Sequence, residues 1–223
     1  ANAEHYATGT FTYDPIVKVY DGHLYALDGD DLYEITAANT RVLVAETSSY
    51  GNNYLTSTPA QTYNRLCVTD TGLAWYTVSD NGQCFLWEYL EAEDYARKVG
   101  KLPVDGVYPY SMFFANGYLF VAFRYASAHA QQGEAFIYYQ RGGQRGIAGP
   151  VRNIADATTA SKPIVFAGII GDDLFFTYNK GLWAYNLSAG SIVCHGVSAT
   201  TDTTAAGTSI TFGKDVFMGN MNA

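Results

Sequence analysis

The stretch Ile164–Cys194 divides into four short apolar runs, Ile164–Ile170, Leu174–Tyr178, Leu182–Leu187 and Ser191–Cys194, with turn formers between them. Val, Ile, Phe, Tyr and Trp dominate these runs. Such side chains fit a pleated, half-buried surface, so each run predicts a strand. The breaks at Gly171-Asp172, Asn179-Lys180 and Ser188–Gly190 are short enough to join antiparallel neighbours. The pattern is that of a four-stranded meander.

The meander recurs. Apolar runs that open after a glycine start at Gly22, Gly72, Gly117, Gly171 and Gly213, spaced by 50, 45, 54 and 42 residues. A second register agrees: Asp31–Val44 (DLYEITAANTRVLV) and Gly181–Cys194 (GLWAYNLSAGSIVC) align without a gap as the third and fourth strands of two units. Four strands per repeat at this period predict an all-β propeller of four-stranded antiparallel blades, with about four and a half blades in this chain.

The expected blades are 15–46, 65–102, 108–151 and 164–194, followed by a partial blade at 209–223. In the first, strands are expected at Ile16–Tyr20, His23–Leu27, Asp31–Ile35 and Arg41–Ala45, with Asp21-Gly22 as a type I′ hairpin turn. Glu88–Val99 is rich in helix formers, but an apolar stripe from Trp87 through Leu90 meets Asp94 and fails. It is read as strand, turn and strand. Arg141–Gly149 is read as a glycine-rich loop. Residues 1–13 either complete the partial blade, closing a five-bladed ring, or the chain is a segment of a larger ring; the thin closing blade favours the segment. Ala1 in place of an initiator Met fits processing, trimming or a longer parent chain.

The length of 223 residues is ample for one all-β domain, taken as 1–223. A net charge of −8 disfavours nucleic acid and anionic membrane surfaces as partners. No apolar run approaches the roughly 18 residues of a membrane span. The three cysteines, Cys67, Cys84 and Cys194, are too few for a disulfide framework and read as buried apolar side chains in strands.

At DGHLYAL (Asp21–Leu27) and GLWAYNLSAG (Gly181–Gly190) the chain resembles the PQQ-type and related propeller repeats, which implies the fold and no particular chemistry. It lacks the Trp-Asp dipeptide of WD repeats and the paired glycines of kelch repeats. Ser79–Gln83 (SDNGQ) is similar to a sialidase Asp-box but lacks its spacing and its Thr-Trp. The short, Tyr-, Thr- and Gly-rich blades also look like those of phage tail and other virion propellers.

Candidate chemistry is sparse. His5, His23, His129 and His195 have no metal-ligand spacing with one another or with the cysteines, so no metal and no cofactor is expected. Asp28-Gly29-Asp30-Asp31 fails as a calcium loop because Leu32 and Tyr33 stand where ligand and glycine belong, so it is read as a turn. No nucleophile elbow or phosphate loop occurs. Acids stand near strand ends at Asp21, Asp70, Asp80, Asp105 and Asp156, the raw material of a glycosidase pair. Arg141, Arg145 and Arg152 form a local basic cluster suited to a phosphate or carboxylate of a partner.

Binding is the favoured expectation, through loops held on a rigid scaffold. The face bearing the second-to-third-strand turns and the blade-to-blade links should carry Tyr50, Asn52, Asn53, Tyr54, Asp80, Asn81, His129, Gln131, Gln132, Asn179 and Lys180. Tyrosine and amide side chains together suit protein or surface-glycan partners. The expected function is therefore a non-catalytic interaction or structural module in an extracellular or virion-type assembly, with an oligomer or larger complex anticipated. The alternatives are a glycoside-processing propeller enzyme and an intracellular or periplasmic assembly scaffold. Asn186-Leu187-Ser188 fits a glycosylation acceptor if the chain crosses a eukaryotic secretory pathway.

Overall fold

The computed structural model describes residues 11, 15–36, 40–48, 65–79, 82–103, 107–125, 135–151, 164–178, 181–197, 211–212 and 216–217. Among these the chain forms strands joined by turns, with a 3-10 turn at Glu91–Glu93. Sheet one holds β1 (Ile16–Tyr20), β2 (His23–Asp28), β3 (Asp31–Ile35) and β4 (Arg41–Ala45). Sheet two holds β5 (Leu66–Val68), β6 (Gly72–Val78), β7 (Cys84–Leu90) and β8 (Tyr95–Lys101). Sheet three holds β9 (Val107–Ala115), β10 (Tyr118–Tyr125), β11 (Ala135–Arg141) and β12 (Gln144–Val151). Sheet four holds β13 (Val165–Ile170), β14 (Asp173–Tyr178), β15 (Gly181–Asn186) and β16 (Ser191–Val197). A two-stranded piece, β17 (Thr211–Phe212) and β18 (Val216–Phe217), follows. Each four-stranded sheet is an antiparallel meander in chain order, the arrangement of propeller blades.

The turns follow from residue type. Asp21 and Gly22 both have positive φ, at 45° and 81°, which a type I′ hairpin demands and which Asp and Gly tolerate. Between β7 and β8 the chain makes one 3-10 turn and passes through Asp94 at φ 47°, so the charged segment is strand, turn and strand.

One irregularity repeats in all four sheets. The pairing of third with fourth strand slips at Leu32/Tyr33, Leu86/Trp87, Ala135/Ile137 and Leu182/Trp183, each time with the extra residue on the outermost strand. A bulge there increases local twist and bends the outer strand. In sheet three this overturns the reading of Arg141–Gly149 as a loop: Gly142-Gly143 is a hairpin turn, and Gln144 onward is β12. Its glycines serve the strand. Gly149, at φ +136°, sits where an added Cβ would lie 2.8 Å from the Phe136 ring.

The chain groups into two compact units, Ala1–Gly117 and Tyr118–Ala223. In the first, β1 lies against β5, β5 against β9, and β4 against β8, so like strands of successive sheets adjoin. Tyr25, Leu27, Leu32 and Ala45 from sheet one meet Leu66, Leu73, Trp75, Trp87 and Tyr89 from sheet two in one apolar cluster. Trp75 and Trp87 stack at 6.4 Å with rings 16° apart. On the other face of β6, the Tyr76 hydroxyl donates to the Pro109 carbonyl of β9 at 3.3 Å. Covered on both sides, β6 is buried at every position. In the second unit, Phe120 of sheet three meets Phe166 of sheet four, and Tyr139 meets Tyr185. Cys67 and Cys84 are buried in strands and Cys194 is half-buried in β16; all three are free thiols.

Trp75 is the largest fully buried side chain of this core. Trp75→Ala is expected to lower stability by about 3–5 kcal/mol in urea denaturation. A loss below about 1 kcal/mol, the range of a surface position, would mean that sheets one and two do not pack as described.

Candidate functional site

The turn between β2 and β3 packs three carboxylates into four residues, Asp28-Gly29-Asp30-Asp31. Mutual repulsion makes such a turn unstable unless each charge is answered. Each is. Asp28 Oδ2 accepts from Arg41 Nη1 at 2.8 Å, and the same guanidinium lies 4.3 Å over the Tyr33 ring. Asp31 Oδ1 accepts the backbone N–H groups of Thr47 and Ser48 at 2.7 and 2.8 Å. Asp30 Oδ1 accepts from Arg65 Nη1 at 2.8 Å, with the two side chains only 5% and 4% exposed.

Thr47 knits these contacts to the core. Its hydroxyl donates to the Asp30 carbonyl oxygen and accepts from Trp75 Nε1 at 3.1 Å. Burial pushes the Asp30 carboxyl up from its ordinary range, and the charge and hydrogen bond of Arg65 pull it back part of the way. The acidic run is thus turn chemistry, and its ligands are protein cations and amides. Among the described residues no group of three or more His, Cys, Asp and Glu side chains is placed to hold a metal ion.

This turn also frames the blade-to-blade link. Ser48, on one side, and Arg65, on the other, bound residues 49–64, and both are tied to the aspartate turn. Tyr50, Asn52, Asn53 and Tyr54 belong to that link and lie outside the described residues. So do Asp80, Asn81, His129, Gln131, Gln132, Asn179, Lys180 and Arg152. The residues flanking several of them are described. Ser79 N–H donates to the Gln83 carbonyl at 2.9 Å and Gln83 N–H to Ser79 Oγ at 3.2 Å, closing the turn around Asp80-Asn81. Tyr178 pairs with Gly181 around Asn179-Lys180. His129, Gln131 and Gln132 fall between β10 and β11. Within each sheet these links leave from the second-to-third-strand end.

Arg141 and Arg145 are both exposed, but the hairpin separates them. Arg141 pairs with Gln144 and Arg145 with Gln140, so alternation sends their side chains to opposite faces of the ribbon. The partner that the fold gives Arg141 is the Tyr118 ring, 5.0 Å from the guanidinium. Nearby Tyr139 hydrogen-bonds Tyr185, whose hydroxyl is pushed up to about 12, first by burial and then by that bond. Asn186 is used up locally: Nδ2 donates to Asp173 Oδ1 at 2.7 Å, while Oδ1 accepts from Ala189 N–H at 2.7 Å. The glycosylation motif is folded into the turn between β15 and β16, closed by the Asn186 side chain.

The sequence reading missed the Asp30–Arg65 pair and the role of Thr47. A cation directly ahead of the buried β5, in a chain with only 13 Lys and Arg, was the available signal. It missed as well the dyad at the other end of sheet one, where His23 Nδ1 lies 2.8 Å from Glu34 Oε1. That hydrogen bond raises the exposed imidazole above its usual range.

No protein-family model matches the sequence, and no curated protein matches it. Among solved structures the chain is similar to the tricorn protease, at 11% identity and a TM-score of 0.30, over 87% of this chain and 23% of that one. It is also similar to PorZ, an essential bacterial surface component of the type-IX secretion system of Porphyromonas gingivalis, at 16% identity and a TM-score of 0.24, over 86% of this chain and 29% of that one. The chain spans less than a third of either.

Arg65→Met strands a buried carboxylate and is expected to cost about 3–5 kcal/mol at neutral pH. Asp30 then binds a proton in the folded state at a higher pH than in the unfolded one. The deficit should therefore shrink as pH falls toward the ordinary 3.8 of the carboxyl. Adding Asp30→Asn should recover most of the loss. Equal deficits in single and double variants, flat with pH, would contradict the pairing.

Proposed function

We propose that the chain is a single propeller module that binds a protein or surface glycan without catalysing a reaction on it. The binding face is the one carrying the second-to-third-strand turns and the 49–64 link, in an extracellular or virion-type assembly. The observation that carries this reading is the framing of that link: both of its stems are fixed on one aspartate turn that is itself locked to the core. A loop with rigid stems loses less conformational entropy on meeting a partner than one free along its whole length. The side chains it offers, Tyr50, Asn52, Asn53 and Tyr54, combine flat contact area with amide hydrogen bonding.

A second observation favours binding over glycoside hydrolysis. Asp28, Asp30 and Asp31, the carboxylates of the turn to which both stems of the link are tied, are engaged by Arg41, Arg65 and backbone amides. A hydrolytic pair needs carboxylates free to exchange protons with substrate, roughly 5–10 Å apart.

The test is a glycan array and an affinity capture with the intact chain and with a variant carrying alanine at Tyr50, Asn52, Asn53 and Tyr54. The expected result is a ligand whose affinity falls at least about tenfold in the variant, corresponding to ~1.4 kcal/mol, with unchanged thermal stability. Turnover of a glycoside substrate by the intact chain would overturn the proposal, and so would capture that the variant leaves unaltered.

A further inference from the structure

Sheets one and four differ from sheets two and three. Side chains alternate between the two faces of a strand. β6 of sheet two and Leu119–Phe123 of β10 in sheet three are buried at every position, so both of their faces are covered. On β14 of sheet four burial alternates: Leu174, Phe176 and Tyr178 are buried, Asp173, Phe175 and Thr177 only half-buried. β1 of sheet one alternates as well. Each of these sheets has one packed face and one open. Cross-strand register gathers Val17, Val19, Leu24, Tyr33 and Leu43 on the open face of sheet one. It gathers Val165, Ile170, Phe175, Leu182 and Val193 on that of sheet four. Within a single copy Val19 is 63% exposed and Val193 50%. Apolar side chains gathered on an open sheet face mark a surface that a partner covers.

The repeated bulge tells which neighbour each face is built for. On the third strand the residue after the slip is Tyr33, Trp87 or Trp183, and the one before it is Leu32, Leu86 or Leu182. Trp87 faces the preceding sheet, in one cluster with Leu32. Trp183 does the same: register sets it on the face of Phe166 and Tyr185, which meet Phe120 and Tyr139 of sheet three. Leu32, on the other face of its sheet, meets the sheet that follows. Tyr33 therefore stands where a preceding sheet belongs, and Leu182 where a following one does. The two open faces are the two halves of the junction that Leu32 and Trp87 make inside the first unit.

We propose that a second copy of this chain supplies the missing half: sheet four of one copy docks on sheet one of the next, Leu182 toward Tyr33, with Val193 and Val19 buried at the contact. The chain carries both mating surfaces, each built on the packing it already uses between successive sheets, and each stays open in a single copy. Arg41 on one face is bonded to Asp28, and Asp173 on the other to Asn186, so these charges need no new partner. The contact joins unlike patches, so it grows into a ring or a filament rather than stopping at two copies.

Sedimentation of the intact chain at concentrations up to about 1 mM should show self-association. Val19→Asp on sheet one, or Val193→Asp on sheet four, should lower the association constant at least about tenfold, because each sets a charge inside an apolar contact. Both positions are exposed, so melting should not change. Val19→Lys and Val193→Lys repeat the test with the opposite charge. The decisive sample is an equimolar mixture of the two Asp variants. Each keeps the face that the other has lost, so the mixture should form a heterodimer with the affinity of the intact chain and grow no further. An intact chain that stays monomeric would overturn the proposal. So would a mixture that associates no better than its components. A Val193→Asp variant that associates like the intact chain would overturn it in favour of a symmetric contact of sheet one on sheet one.

Discussion

The buried pairing of Asp30 with Arg65 is the constraint on which the first unit depends. Two charges at 2.8 Å, nearly out of water, are a poor source of net stability, because desolvation offsets most of their attraction. Their value is positional. An apolar contact tolerates sliding; a buried carboxylate paired with a particular guanidinium does not. The pair fixes the end of sheet one against the beginning of sheet two. Thr47 then couples that junction to the indole of Trp75 in the core. Removing either charge leaves the other stranded, so the junction is specified even where it is not strongly stabilised.

From that junction outward, the fold is a repetition of one unit with local variation. The regularity that matters most is the outer-strand bulge, present at the same place in all four sheets. A residue inserted there twists the outer edge away from flat pairing. This blunts an edge that would otherwise be a template for another strand. Glycine spacing and apolar alternation made the strands legible: β1, β3 and β4 begin and end where the pattern places them. The bulges were not legible. An extra residue in a strand leaves composition unchanged and appears only when pairing partners are known. The same blindness explains β12, whose glycines read as a loop although Gly149 serves close packing on Phe136.

The candidate site was less legible than the fold, for a physical reason. Turn residues such as Asp80-Asn81 and Asn179-Lys180 are chosen for backbone geometry, and their composition is much the same whether or not they meet a partner. Their placement at one end of each sheet follows from strand order alone. Convergence does not: Arg141 and Arg145, four residues apart, look like one cluster in sequence and stand on opposite faces of a hairpin. The Asp28–Asp31 run was rightly read as a turn, but nothing local announced that Arg65, 35 positions from Asp30, would complete it.

The central claim is that the aspartate turn rigidly fixes the stem of the link that follows sheet one. The most direct measurement is hydrogen exchange of the Thr47 and Ser48 amides, both donated to Asp31 Oδ1. If the claim holds, these two amides exchange only through global unfolding, with the same opening free energy as the strand amides of β6. Exchange at the rate of an open loop, with β6 still protected, would contradict it.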